Sequence, residues 1–408
     1  MADQLVIWLY GVQVAVITRH RGRLRLEYTE DAFNRYELGT PVLSLSLPLR
    51  IERYTHIPVQ AFIDGLLPEG QPREIIARDF GIKKDDTYRL IEALGRDCAG
   101  AIVIQPADAN APPLSTTLTA RHLTDPELAD LVTNLRNAPL GAGGQVRISL
   151  AGVQEKLLLT RMLDGSWGQP VDGTPSTHIL KPEIRQYPST VENEAFGMRL
   201  AKKLGLAVAQ VETTVVAGRK LIVVERYDRL VHPDGSVERL HQEDFCQATA
   251  VLPAQKYQED GGPSLKRLAG ILQSMGPLES MEALLRAVTL NVLLGNGDAH
   301  AKNFSLIHEP TGLIHLAPLY DIMSTLYYDI DDLAMYIDNV HRIRRVTTER
   351  IVNEAVSWGM NRRRALEIVM ALIDKAAESL PAAQAEIPDL PSEIPAIVQS
   401  QIESLSHT

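Results

Sequence analysis

Between Leu293 and Leu306 the chain reads "LLGNGDAHAKNFSL", a short polar run inside otherwise apolar text. The apolar segment before it, "MEALLRAVTLNVLL", predicts a helix, and the text after it, "FSLIH", "EPTG", "LIHLAPLYD", predicts a hairpin that delivers Asp321 at its far end. A chain that only had to turn from helix to hairpin could do so with glycine and one Asp or Asn. Here Asp298, His300, Lys302 and Asn303 crowd the same turn. An Asx-turn accounts for Asp298 alone, so the surplus polarity points to chemistry.

The chain of 408 residues exceeds one ordinary core, and two or three domains or subdomains are expected. With 45% hydrophobic and 23% charged residues it reads as globular rather than disordered. A net charge of -10 excludes a surface that is nucleic-acid cradle throughout, since that role needs a dominant cationic field. Local basic patches remain open at His341–Arg345 and Asn361–Arg364, either as solvated helix faces or as contacts to phosphate or an acidic partner. Cys98 and Cys246 are too few for a disulfide framework and form no CxxC pair, which argues against a zinc ribbon and for a reducing, cytoplasmic setting. The apolar start "LVIWLYGVQVAVI" follows an acidic residue and contains Gly and Gln, so neither a signal peptide nor a membrane span is expected.

The remaining elements follow from periodicity and punctuation. Alternation from Leu5, with a turn at His20 to Arg23, predicts a β-hairpin; "PVQAFIDGLLPEGQPREIIARDFG" predicts helices broken by Pro and Gly; "AGAIVIQP" predicts a buried strand. Pro106 to Leu118 reads as a linker, followed by a helix that Thr124 caps and that ends in the loose "GAGG" of Gly141 to Gly144. "VRISLAGVQEKLLLT" predicts two strands around a small-residue turn at Ala151 and Gly152, and "THILK" a strand ending in Lys181. A helix, "VENEAFGMRLAKKLGL", with Gly205 at its C-terminal end, precedes two strands joined at Ala217 and Gly218. From about His241 the chain is expected to be mostly helical.

A strand with Lys, a helix with Glu, two strands, a connector, a helix, an Asp-xxxx-Asn loop, a hairpin and a second Asp follow the order of parts in a protein kinase. Phosphoryl transfer needs little covalent help; it needs dense negative charge neutralised and the attacking hydroxyl aligned. In that reading Asp298 orients or accepts the hydroxyl proton, and Asn303 and Asp321 offer hard oxygens to Mg²⁺. Lys302 would neutralise the transferring phosphoryl group. Lys181 would sit on the α- and β-phosphates, held by Glu192 or Glu194, although a snorkelling Lys and helix-capping Glu residues read equally from sequence. No Walker A loop or GxGxxG occurs, so the turn Ala151 to Lys156 is the phosphate-loop candidate. "HQEDFCQ" falls where a hinge would offer backbone groups to adenine.

These segments together resemble the HipA kinases, toxins of bacterial type II toxin–antitoxin systems, over nearly the whole chain. "RISLAGVQEKLLL", "THILKPE", "ENEAFGMRLAKKLGL", "VERYDR", "QEDFCQA", "KYQEDGGP", "GNGDAHAKNFSL" and "APLYDIMS" carry the resemblance. It implies an α+β, protein-kinase-like bilobal fold: a β-rich N-terminal subdomain (1–108), a mixed N-lobe (109–240) and an all-helical C-lobe (241–408). It also implies ATP and Mg²⁺ as cofactors, Asp298 as catalytic base, and Asn303 and Asp321 as metal ligands. Ala151, Gly152, Val153, Gln154, Glu155 and Lys156 would form the phosphate loop and Lys181 the ATP lysine. Glu243, Asp244 and Phe245 would form the hinge, with His300, Ala301, Lys302, Asn303 and Tyr320 also lining the nucleotide site. Ser149 is similar to the family's autophosphorylated serine, where a phosphate would compete with ATP and eject the loop. The implied partners are a HipB-like DNA-binding antitoxin, operator DNA reached mainly through it, and an aminoacyl-tRNA synthetase, chiefly the glutamyl enzyme, as substrate. Growth arrest or persistence would follow. A small-molecule phosphotransferase of aminoglycoside-kinase type, or a non-catalytic co-repressor, are the competing expectations.

Overall fold

The computed structural model describes residues 4–112, 116–118, 120–137, 139, 149–152, 154–171 and 173–407. The chain is an α+β fold in two compact units: Met1–Pro182 with Val215–Arg219 and Glu225–Pro253, and Glu183–Thr214 with Lys220–Val224 and Ala254–Thr408. These units cut across the boundaries expected at 108 and 240. The N-terminal sheet shares one unit with the strands Leu157–Arg161, Trp167–Gln169 and His178–Pro182 of the sheet that follows it, and the helix Thr190–Lys203 belongs with the helical part.

In the first unit, alternation produces not one hairpin but a meander, because a second turn falls at Tyr10 and Gly11, both at positive φ. Its antiparallel order is Tyr54–Thr55, Arg23–Tyr28, Val12–His20, Gln4–Leu9, Ile102–Pro106. Leu5, Ile7, Ile17, Leu24 and Leu26 alternate inward against Phe62 and Ile63 of the helix Ile57–Leu66, forming one apolar core. Each such side chain contributes roughly 1.5–3 kcal/mol of burial. A second sheet places His178–Pro182 beside Leu157–Arg161, then Trp167–Gln169, then Arg121–His122. The expected linker is not featureless: Thr116–Thr117 pairs with Ser236–Val237. The expected strand over Val146 to Ile148, the loose Gly141 to Gly144 segment and the linker residues Pro113 to Ser115 lie outside the described residues.

A buried charge network holds this unit's loops. Arg229 meets Asp97 at 2.9 Å and Asp228 at 3.0 Å, and Arg226 meets Asp228 at 2.9 Å. Ser176 donates to Asp97 through both N–H and hydroxyl, at 2.9 and 2.7 Å, and the N–H of Gly100 donates to Asp228 at 2.7 Å. Burial alone would raise both carboxyls, but Arg229, Arg226 and Arg239 hold Asp97 well below the usual range, while Arg226 and Arg229 hold Asp228 at about 2. The two arginines of "VERYDR" are therefore the cations of a structural keystone.

The second unit is built on the long helix Arg362–Ala385, whose buried Ala365, Ile368, Val369, Leu372, Ile373, Ala376, Leu380 and Ala383 recur at helical spacing. It packs against Thr190–Lys203, Leu278–Leu294, Thr348–Ser357 and Glu393–Ser406. Leu278–Leu294 is apolar nearly all round because it is surrounded: Leu284, Leu285, Ala287 and Leu290 are all buried. The helical expectation from His241 misses two details. His241–Asp244 is a strand, and a second hairpin, Asp332–Ile337 with Val340–Arg342, follows the expected one at Ser305–His308 and Ile314–Leu316.

Candidate active site

The polar run is shaped first by its glycines. Gly295 ends the helix Leu278–Leu294 at φ +67°, and an added Cβ would lie 2.7 Å from Leu326. A Cβ on Gly297 would sit 2.3 Å from the carbonyl oxygen of Asp332. Both positions thus require glycine for close approach, and Gly295 also for its left-handed bend. Asn296 then anchors the loop. Its side-chain amide donates to Asn291 Oδ1 at 2.8 Å, and its Oδ1 accepts the N–H of Asp298 at 3.2 Å. The N–H of Gly297 donates to Thr325 Oγ1 at 2.8 Å. Asn303 closes the loop by donating its amide to the carbonyl of Asp298 at 3.1 Å, which leaves its amide oxygen for a cation.

Asp298 receives a hydrogen bond from Tyr257 Oη at 2.9 Å. The residue is exposed overall, yet the protein around it raises its carboxyl above the ordinary value. Tyr257 and Lys256 oppose the rise, and Asp321 adds to it. Asp298 and Asp321 therefore feel each other's charge within one unit. His300 is pushed down to about 3 by burial, with Lys256 and Lys302 adding to the fall, so its imidazole is neutral at physiological pH. Its ring meets Tyr257 edge to face at 5.3 Å, and its buried Nδ1 has no hydrogen-bond partner among the described residues. Tyr320 donates to the carbonyl of Lys302 at 2.7 Å and shares a 2.6 Å hydrogen bond with Ser305, bracing the loop to its hairpin. Among the described residues no group of three or more His, Cys, Asp or Glu side chains forms a metal cage. The Asp321 carboxylate and the Asn303 amide oxygen match the sparse, all-oxygen set that Mg²⁺ accepts when phosphates complete its shell.

In the first unit, the turn from Ala151 is drawn shut by Lys156, whose ammonium donates to the carbonyl of Ala151 at 2.5 Å. Gly152 adopts φ +116°, where an added Cβ would be 2.5 Å from Lys156 Nζ. Gln154 reaches the carbonyl of Pro182 at 3.2 Å, one residue beyond Lys181, and Glu155 is half-buried. Val153 lies outside the described residues. Ser149 is fully buried, with its hydroxyl donating to Leu66 O at 2.6 Å and its N–H to Asp97 O at 3.0 Å. Lys181 is buried near the end of His178–Pro182. The side chains of the expected hinge face inward. Glu243 accepts from Ser44 at 2.5 Å and from the N–H of Leu45 at 2.9 Å; Asp244 caps Phe245–Ala248; Phe245 is buried.

Sequence reasoning missed several residues that shape the loop: Tyr257, Asn291, Asn296, Thr325 and, from the helix Thr190–Lys203, Asn193. Tyr257 stands in "KYQEDGGP" with no local motif to mark it, and Asn193 stands between two acidic candidates. Of those two, Glu192 takes Lys220, an unanticipated partner that also reaches Asp389 at 3.1 Å, and Glu194 is buried. Three arginines of the two clusters meet acids within the chain. Arg364 meets Glu282 through two bonds of 2.7 and 2.8 Å, Arg363 meets Glu367 at 3.0 Å, and Arg342 lies 3.7 Å from Asp331. Exposed pairs of this kind are worth little individually, and they describe a solvated face.

Known proteins match this chain along most of its length. The HipA N-terminal domain matches residues 5–105 and the HipA-like C-terminal domain residues 148–380. A putative kinase, Y4mE of Sinorhizobium fredii, is 41% identical over 331 residues, 79% of this chain and 78% of its own. The serine/threonine-protein kinase toxin HipA of Shewanella oneidensis is 30% identical over 393 residues, 90% of this chain and 86% of its own. The solved complex of Shewanella oneidensis HipA, HipB and operator DNA contains a chain similar at a TM-score of 0.82 and 27% identity, covering 98% of this chain and 95% of that one.

Proposed function

The chain belongs to the HipA family and is a kinase, and from that premise we propose that it is the toxin of a toxin–antitoxin pair, an ATP- and Mg²⁺-dependent serine/threonine protein kinase. The observation that carries the reading is the loop after Leu278–Leu294, where Asp298 is held by Asn296, Tyr257 and Asn303 while Asp321 bears on it electrostatically. Asp298 is the base that orients the substrate hydroxyl and receives its proton. Asn303 and Asp321 would hold Mg²⁺, which would supply neutralising charge for the phosphates. Lys302 adds a second cation there. Lys181 and the backbone from Ala151 to Lys156 engage the ATP phosphates, and Glu243 to Phe245, with their side chains turned inward, offer adenine their backbone. Neutral His300, with Ala301 and Tyr320, supports the nucleotide side of the loop.

The HipB bound to HipA in the Shewanella complex supports a HipB-like antitoxin as partner here, with operator DNA contacted mainly through it. The substrate is an aminoacyl-tRNA synthetase, the glutamyl enzyme first, whose modification stalls translation and leads to growth arrest or persistence. Ser149 is the autophosphorylated residue that switches the kinase off.

Incubation with labelled ATP, Mg²⁺ and a bacterial lysate, followed by phosphosite mapping, tests this. Label on Ser149 and on a synthetase, absent with Asp298→Asn, is the expected result. Transfer to sugars or antibiotics instead would assign a small-molecule phosphotransferase, and toxicity retained by Asp298→Asn would remove the kinase mechanism.

A further inference from the structure

Asp321, the carboxylate assigned to the metal, has φ +59°, a left-handed conformation that side-chain-bearing residues avoid. Something must hold it there. Three residues on, Ser324 is gripped at both backbone groups by one side chain: Asn193 Nδ2 donates to Ser324 O at 2.9 Å, and Asn193 Oδ1 accepts the Ser324 N–H at 2.8 Å. Asn193 lies in the helix Thr190–Lys203 and is fully buried. One turn further along that helix, Gly197 faces Ile322, and an added Cβ would stand 2.4 Å from the Ile322 carbonyl oxygen. Helix and segment therefore meet backbone to backbone. The next residue carries the connection onward: Thr325 N donates to Gly295 O at 2.9 Å, and Thr325 Oγ1 accepts from the N–H of Gly297. Among the described residues the buried side-chain hydroxyl of Ser324 has no hydrogen-bond partner, so the Asn193 grip is on main chain alone.

We propose that Asn193 is a positioning residue that fixes the metal-binding conformation of Asp321 by clamping the backbone of Ser324, welding the helix Thr190–Lys203 to the catalytic loop. The role rests on the reading of Asp321 as a metal ligand. It predicts a segment held ready before nucleotide arrives, with no flipping of Asp321 in and out of place.

Two measurements on the full chain test it. In hydrogen exchange, the amides of Ser324 and Thr325 are protected in the parent and exposed in Asn193→Ala, while Ser324→Ala keeps the parent's protection. In calorimetry, the gain in ATP affinity on adding Mg²⁺ falls by about tenfold or more in Asn193→Ala, as for other residues that orient a metal ligand, while affinity for metal-free ATP is unchanged. If Asn193→Ala does not fold, the isosteric Asn193→Asp decides, since it keeps the volume but sets a carboxylate oxygen against the Ser324 carbonyl. A variant that folds and keeps both protection and the Mg²⁺-dependent gain overturns the role alone. A parent whose ATP affinity ignores Mg²⁺ overturns the metal assignment and this role together.

Discussion

Asp298 shows how one side chain is tuned by opposing neighbours. Burial raises its carboxyl and Asp321 adds to the rise, while the Tyr257 hydroxyl and Lys256 restrain it. A base must be deprotonated to act, so kcat/KM should fall with decreasing pH through a limb lying above the ordinary Asp value of about 3.9. His300, held neutral with its pKa near 3, should add no limb near the usual imidazole range. A pH–rate profile of the parent with a limb at about 6.5 that vanishes in His300→Gln would contradict this assignment. Ser149 gives a second prediction. Its hydroxyl is buried against the carbonyl of Leu66, leaving no room for an added charge. Ser149→Asp should displace the segment toward Ala151 and weaken ATP binding on the order of tenfold or more, because a buried carboxylate facing a carbonyl is strongly unfavourable. Calorimetric titration with ATP measures it, and unchanged affinity would remove Ser149 as an off-switch.

At the scale of elements, the molecule spends its irregular backbone where two segments must touch. Gly297 is such a place, because the carbonyl of Asp332 occupies the space a side chain would fill. Gly297→Ala should push the loop off Asp332, lowering kcat by about 10²-fold, a loss of the size expected from a misplaced catalytic group. Circular dichroism should show the helices intact. The network of Asp97, Asp228, Arg226 and Arg229 ties loops of the first unit in the same way, but with charge. Arg229→Met would leave two buried carboxylates short of a partner and should destabilise this unit by about 3–5 kcal/mol, read from denaturant midpoints. The pH dependence follows from the direction of the shifts. Both carboxyls are depressed in the folded chain, so their stabilisation is fully present above the unfolded value of about 3.9. It is lost as pH falls toward the folded value of about 2 for Asp228 and below it for Asp97. Acid unfolding of the Arg229→Met protein should therefore begin at higher pH than in the parent.

For the whole molecule, the governing quantity is charge. At -10 overall, with Arg364, Arg363 and Arg342 paired to Glu282, Glu367 and Asp331, the chain repels a polyanion at long range. Alone, at about 0.15 M salt, it should give no shift of operator DNA in a gel, whereas a basic HipB-like partner should carry it onto DNA with a steep salt dependence. Strong binding by the chain alone would return the arginine clusters to the role of DNA contacts.

The residue order alone carried much of this. Period-two alternation, a 3.6-residue apolar stripe and well-placed Gly, Pro and Thr determine local structure through nearest-neighbour sterics and burial, so the hairpin turning at His20 to Arg23, the helix capped by Thr124 and the helix before Asp298 were legible. The polar crowding of Asp298, His300, Lys302 and Asn303 in one turn was legible too, because spacing across one short loop survives folding unchanged. What the tertiary structure decided is which groups hold those residues. Tyr257 on Asp298, Asn193 on Ser324, Lys220 on Glu192 and the arginines on Asp97 join residues from 28 to 142 positions apart. No local pattern encodes such pairs, since each side chain satisfies its polarity with whatever the packed fold brings within hydrogen-bond reach.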